Sequence, residues 1–204
     1  MSRYLGPRVK KMRALGVNLP GLSRKSTERR PYAPGEHGQS RRMRISDYGR
    51  QLKEKQKLVF NYGMGERQFR RYVKEARASK QATGKKLLEL LERRLDNVVF
   101  RAGLAPTIPA ARQLINHGHI MLNDRRVKTP SIRVRAGDVV QPREKSRDLL
   151  VMKDALSKFS SERPFWMEFE EPNLKTTVKD LPDANTVPFE VDVTQVVEYY
   201  SNRL

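Results

Sequence analysis

RRLDNVVFRAGLAPTIPAARQLINHGHIMLN, residues 93–123, encodes helix, helix and hairpin in immediate succession. Together with the residues just before it, the first part carries Leu87, Leu88, Leu91, Leu95, Val98, Val99 and Ala102 on one face of a 3.6-residue period. That spacing predicts a helix over 84–102. Gly103 is a natural stop, because glycine adopts the left-handed backbone that closes helices. A second helix is expected from about Pro109 to Asn116, with Ala111, Leu114 and Ile115 facing inward. Thr107 supplies a hydroxyl to cap it, and Pro109 suits its first turn. After Gly118, the run from His119 to Leu122 leads into Asn123-Asp124, a pair suited to a tight turn with positive φ. Arg125 to Val127 returns as the second strand of the hairpin.

Downstream, Val134, Gly137-Asp138 and Val139-Val140 predict further short strands. Residues 165–191 read as strands and turns, punctuated by Pro172, Pro182 and Pro188. Val193 to Leu204 carries Val196, Val197, Tyr199 and Tyr200 and reads as a short amphipathic terminal helix. Upstream, residues 45–78 read as two short helices. Tyr48 and Leu52 lie four apart, and Asn61-Tyr62-Gly63 with Gly65 breaks the pattern. Phe69, Tyr72, Val73 and Ala76 then recur as an amphipathic stripe. Their spacing makes these aromatics core residues rather than base-stacking groups. Arg67, Arg70, Arg71, Lys74 and Arg77 lie mostly off the stripe.

Residues 1–44 read as an extended arm. Gly6-Pro7, Pro20-Gly21, Pro31 and Pro34-Gly35 interrupt helix formation, and the scattered apolar residues bury little. Such a segment orders mainly on a partner. The expected architecture is therefore α+β in two lobes. The arm (1–44) precedes a helical lobe (45–90, completed by 193–204). A second lobe (91–192) contains the helix-helix-hairpin unit at about 93–155 and the short strands.

Charge narrows the function classes. The 204 residues hold 42 Lys plus Arg against 23 Asp plus Glu, a net charge of +19. Residues 1–80 carry 22 basic and 6 acidic side chains, residues 81–150 carry 14 and 7, and residues 151–204 carry 6 and 10. A surface made only for solubility would intersperse the signs. A field concentrated in the first 150 residues favours nucleic acid or an anionic membrane. No apolar run exceeds the four residues Leu149 to Met152, whereas a membrane helix needs roughly twenty. A membrane-surface protein would need an exposed apolar face opposite the basic one, and the apolar faces here are needed for a core. With no apolar signal core at its N-terminus, the chain reads as soluble and not secreted. The absence of cysteine excludes disulfides and thiolate metal sites. With only His37, His117 and His119 as imidazoles, neither a structural metal nor a cofactor is expected.

The string at 93–123 closely resembles the small RNA-binding domain named after small-subunit ribosomal protein four. Three further stretches resemble other parts of that ribosomal family, in the expected order. RRPYAPGEHG (Arg29 to Gly38) is similar to its N-terminal arm. EKQKLVFNYGMGERQFRRY (Glu54 to Tyr72) is similar to its first helical domain, and VVEYYSNRL (Val196 to Leu204) to its C-terminus. Residues 143–190 carry no recognised part of the resemblance. Some bacterial members hold zinc through four cysteines in the arm. The corresponding stretch here, Tyr4 to Lys25, has none.

The resemblance implies a non-catalytic constituent of the small ribosomal subunit. It implies binding to small-subunit ribosomal RNA at a helix junction of the 5′ domain, early in assembly, and a part in translational accuracy. Small-subunit ribosomal protein five and messenger RNA near the entry channel are the further partners implied, with no membrane. The setting implied is the cytoplasmic ribosome of a bacterium, or an organellar ribosome. Arginine forks suit phosphate oxygens. The expected RNA contacts are Arg3, Arg8, Lys10, Arg13 and Arg24 in the arm. Arg41, Arg42, Arg44, Arg50 and Lys53 follow, then Arg67, Arg70, Arg71 and Lys74. In the small domain, Arg94, Arg101 and Arg112 are expected along one basic edge, with Thr107 at a helix start and His117 and His119 at the helix-to-strand corner.

The same small domain also occurs as an appendage of enzymes. Arg94-Leu95-Asp96 superficially matches the residues around the catalytic aspartate of RNA pseudouridine synthases. Here Asp96 falls inside the expected binding-domain helix, and too little chain remains for a catalytic fold. Asp96 reads instead as a helix-surface or intradomain hydrogen-bonding carboxylate. A tyrosyl-tRNA synthetase fragment would show a nucleotide-binding signature, and none is present. Stress-related modules that act on stalled subunits lack the arm and the Glu54 to Tyr72 stretch.

Overall fold

The computed structural model describes residues 4–39, 45–159, 162–183, 186–201 and 203. The chain forms two compact units, residues 1–88 with 187–204 and residues 89–186.

The first unit is helical. Helix α1 spans Arg8–Leu15, α2 Asp47–Asn61 and α3 Glu66–Ala78. The stripe predicted on α3 is the buried one: Phe69, Tyr72, Val73 and Ala76 face inward, while Arg67, Arg70, Arg71, Lys74 and Arg77 are exposed. Helix α4, Thr83–Glu92, carries the chain into the second unit. The C-terminal helix, Val193–Ser201, packs on α2 and buries Val196, Tyr199 and Tyr200.

A polar cluster with the half-exposed Glu66 at its centre ties that last helix down. Tyr200 donates its hydroxyl to Glu66 Oε1 at 2.6 Å, and Lys55 Nζ lies 2.7 Å from Glu66 Oε2. Burial pushes the Glu66 carboxyl up. The hydrogen bonds from Lys55 and Tyr200, with the charges of Lys55 and Arg70, outweigh that and hold it below the ordinary glutamate value. Lys55 is thus a structural cation.

The arm differs from the sequence expectation. Residues 8–15 form α1, and Gly16 at φ +72° ends it by donating its N–H to Met12 O. Met12, Leu19 and Leu22 are buried together, with Val9, Phe60 and Phe189 packed against them. Gly21 N donates to the buried Asn61 Oδ1 at 3.0 Å. Few apolar residues suffice here, because α2 and the segment before the last helix supply the other wall.

The second unit packs α5 (Leu95–Arg101), α6 (Ile108–Asn116) and α7 (Leu150–Ser157) with a five-stranded antiparallel sheet. The strands are β1 (Ile120–Leu122), β2 (Arg125–Arg126), β3 (Val139–Pro142), β4 (Met167–Glu170) and β5 (Lys175–Val178), in the order β2-β1-β3-β5-β4. Leu95, Val98, Leu114, Ile115, Ile120, Val140, Met152, Trp166 and Val178 lie in one core. The hairpin turn is as read: Asn123 and Asp124 both have positive φ, +48° and +61°.

Two local readings are corrected. The single helix expected over 84–102 is broken at Arg93-Arg94. Arg94 is extended and bridges Arg133, and Leu95 N donates to Ile132 O. Val134 belongs to no strand, although its side chain is in the core and its N–H donates to Arg93 O. The helix α7 and a short 3-10 turn at Glu144–Ser146 were not expected.

Candidate nucleic-acid interface

The α3 face is built by helical phase alone. Burying the stripe at 69, 72, 73 and 76 forces Arg67, Arg70, Arg71 and Lys74 to the solvent side, where with Glu66 they line an open concavity. Arg70 also donates to the Arg203 carbonyl at 2.5 Å, which fixes that side chain near the C-terminus. On α2, Arg50 is exposed and ion-paired with Asp47, and Lys53 is half-buried.

The arm presents a second basic concavity in the same unit. Lys10, Arg13, Lys25, Arg29 and Arg30 line it, with Ser26 and Thr27 between them. Its floor is held by Arg13, which donates to the Tyr32 and Ala33 carbonyls at 3.0 and 3.3 Å and lies 4.9 Å from the Tyr32 ring centroid. Arg8 donates to Leu22 O at 3.3 Å. Arg13 and Arg8 therefore shape the arm as well as adding charge. Lys10 and Arg24 are exposed. Arg3, Arg41, Arg42 and Arg44 lie outside the described residues. Lys25, Arg29 and Arg30 were not among the expected contacts, although Lys25 follows Arg24 directly and Arg29 and Arg30 open the RRPYAPGEHG motif.

In the second unit the three arginines expected on one edge divide. Arg94 is fully buried, so it is not a surface contact. It donates from Nε and Nη2 to the two oxygens of Asp96, at 3.0 and 2.8 Å. Arg101 is also buried. It sits 3.7 Å from Glu92 and donates to Thr186 O at 2.6 Å, joining the residues where the chain enters and leaves this unit. Both are buried because a buried carboxylate lies beside each and offsets the cost of desolvating the guanidinium. Arg112 keeps 15 % of its side chain exposed while its Nε donates to Asp96 Oδ2 at 2.7 Å.

Thr107 caps α6, accepting from Ala110 N at 3.4 Å. His117 and His119 lie together at the corner after α6, with ring centroids 6.0 Å apart. His117 is exposed. His119 is half-buried, with Nδ1 3.0 Å from Ser146 Oγ. Burial first, then the charges of His117, Arg143 and Arg126, push the His119 pKa below its ordinary value. Arg126 spans this corner, donating to the Gly118 and His117 carbonyls at 3.2 and 3.1 Å. Gly118 is favoured there by its φ of +73°, and a Cβ would also displace the Arg126 guanidinium, which lies 2.2 Å from its position. Arg125, Lys128 and Arg135 are exposed nearby in sequence and were not among the expected contacts. Among the described residues no group of acidic, cysteine or histidine side chains is placed to hold a metal ion.

Exposed arginines and lysines line these open concavities, a surface chemistry that suits phosphate groups. The sequence matches the model of the ribosomal protein S4/S9 N-terminal domain over residues 3–92 and that of the S4 domain over residues 93–140. Over the full length of both chains it is 56 % identical to the small ribosomal subunit protein uS4 of Methylobacillus flagellatus. It is 53 % identical to uS4B of Nitrosomonas europaea and 49 % identical to uS4 of Acaryochloris marina, again over full lengths. The class is thus that of RNA-binding constituents of the ribosome. The chain belongs to the small ribosomal subunit protein uS4 family, a structural and not a catalytic one, and its partner is ribosomal RNA.

Proposed function

We propose that this protein binds the small-subunit ribosomal RNA directly at a helix junction of the 5′ domain, before other proteins are in place, and so nucleates assembly there. The observation that carries this reading is the build of the basic surface on folded scaffolds. The α3 arginines are set by a buried stripe, and the arm concavity is held by its own small core and by Arg13. A surface organised without RNA can recognise a preformed shape. A-form major grooves are too deep and narrow for side chains, so phosphates, 2′-hydroxyls and junction geometry carry the recognition. Arg8, Lys10, Arg24, Arg50, Lys53, Arg67, Arg70, Arg71, Lys74, Arg112, His117 and His119 are the proposed contacts among the described residues. Arg3, Arg41, Arg42 and Arg44 are proposed on the sequence alone. Contact with small-subunit ribosomal protein five, a place beside the messenger RNA entry channel and a part in translational accuracy complete the proposal, on family resemblance.

Chemical probing of the isolated 5′-domain RNA tests the central part. Protections at the junction are expected with this protein alone. Their appearance only after other ribosomal proteins are added would overturn a nucleating role.

A further inference from the structure

We infer that the corner after α6 is a phosphate site with a proton switch: the His119 ring takes up a proton as one RNA phosphate seats among His117, Arg126 and Arg143. This rests on the RNA-binding reading above and adds to it two arginines and a linkage to pH. Four segments of the second unit build the corner. His117 closes α6 and His119 leads into β1, with ring centroids 6.0 Å apart. Arg126, on β2, crosses the corner and donates from Nε and Nη2 to the Gly118 and His117 carbonyls. Arg143 follows β3, and its backbone N–H donates to the His119 carbonyl at 2.9 Å. Ser146, at the end of the 3-10 turn, places Oγ 3.0 Å from His119 Nδ1.

The donors at this corner are open. His119 is half-buried, but its Nε2 has no partner among the described residues and is not sealed from solvent. The same is true of the Arg143 side-chain nitrogens, and Arg126 has no described partner at Nη1. Every charge that acts on His119 is positive: His117, Arg143 and Arg126. Glu144 and Lys145 in the turn are exposed, and Asp148 beyond it is paired with Lys153 at 2.8 Å. Like charges gathered without a counter-ion repel one another, and an anion relieves that repulsion. Ser146 makes the ring switchable. A hydroxyl both donates and accepts, so it serves the neutral and the charged imidazole alike. A carboxylate in its place would hold the ring charged throughout. Protonated His119 donates Nδ1–H to Ser146 and leaves Nε2–H for the phosphate.

Without an anion, burial and the three cations favour the neutral ring, so the free protein holds His119 uncharged near pH 7. A seated phosphate favours the charged ring, and binding then draws a proton from solvent. Affinity therefore rises as pH falls, by up to about tenfold per pH unit for one proton. Binding of the full-length protein to the 5′-domain RNA is measured for wild type, H119Q, S146A and H117Q/R143Q. Calorimetry in Tris and in PIPES at about pH 7 reads proton uptake, because the buffer that surrenders the proton adds its own heat of ionisation. Near-ultraviolet dichroism of the single tryptophan, Trp166, which is buried in this unit, checks the fold. Histidine NMR of the free protein has only three rings to assign, and His119 should titrate below 6.5.

Wild type is expected to take up a proton on binding. H119Q is expected to take up less, with a flatter pH dependence of affinity between about pH 6 and about pH 8. Protonation within the RNA is common to both proteins and cancels in the comparison. S146A lacks the acceptor for Nδ1–H and is expected to fall with H119Q. H117Q/R143Q is expected to reduce the log–log salt slope by one phosphate, roughly 0.7 to 0.9. Equal uptake in wild type and H119Q, an unchanged slope in H117Q/R143Q, or a His119 midpoint at or above 6.5 in the free protein would overturn the proposal. Where H119Q loses the Trp166 signal, S146A decides in its place. Failure of the wild type to prefer this RNA over transfer RNA would overturn the RNA reading itself, whereas a preference with no proton uptake at His119 overturns only the switch.

Discussion

At the scale of single residues, burial separates structural arginines from the proposed RNA contacts. Arg94 pairs with Asp96 in the interior, whereas Arg67 stands in solvent on α3. Removing one partner of a buried pair strands the other charge, so Arg94→Ala should lower stability by about 3–5 kcal/mol. Arg67→Ala should cost no more than about 0.5 kcal/mol. Urea denaturation followed at the tryptophan reads both, and only the Arg67 variant should alter RNA affinity without altering the fold. The sequence left Asp96 as either a helix-surface or an intradomain hydrogen-bonding carboxylate, and the structure takes the second. The burial of Arg94 was not legible. An arginine two positions before an aspartate reads the same whether the pair faces solvent or core. Only the extended backbone at Arg94, paired with Arg133, turns it inward.

His119 gives a prediction in pH. Burial and the neighbouring cations lower its folded pKa, so the folded state favours the neutral ring. The stability this contributes is fully present above the ordinary value of 6.5 and is lost as pH falls through the lower, folded value. Thermal denaturation of wild type should therefore weaken between about pH 7 and about pH 5.5 by more than that of His119→Gln. An identical pH dependence in the two proteins would show that His119 does not titrate in this window.

At the scale of elements, the accurate readings were those with a local physical cause. The α3 stripe, the Thr107 cap, the stop at Gly103 and the Asn123-Asp124 turn each depend on a few adjacent residues. Thr107→Ala should cost about 1 kcal/mol by removing the acceptor for the Ala110 N–H, measured as a shift in the urea midpoint. The misses have non-local causes. The apolar face of residues 84–102 runs on through Arg93-Arg94, so nothing local marks the break. It is made by backbone pairing to 132–134, some forty residues on. Helix α1 follows Pro7, which read as an interruption and in fact marks its start, and it ends at Gly16. Helix α7 carries a short apolar run whose period became decisive only against Trp166 and the sheet.

At the scale of the whole molecule, the fold class and the sign of the partner were carried by composition and order along the chain. The first 150 residues hold the positive excess, and the acidic excess falls in residues 151–204. Periodicity could not show that the arm has a core of its own. Met12, Leu19 and Leu22 form no stripe and meet only because Phe60 and Phe189 cover them. That small core means the arm's charges are arranged before RNA binds. The same holds for the α3 face, and preorganisation is what the proposed recognition of shape, rather than charge alone, requires.

The central claim is tested most directly by competing small-subunit 5′-domain RNA against transfer RNA for the full-length protein across a salt series. Affinity for both should fall with salt, at roughly 0.7 to 0.9 log units per neutralised phosphate for each tenfold rise in salt. A strong preference for the 5′-domain fragment that persists at moderate salt is the predicted result. Equal affinity for the two RNAs throughout the series would contradict it, and would make the basic surface a generic polyanion binder.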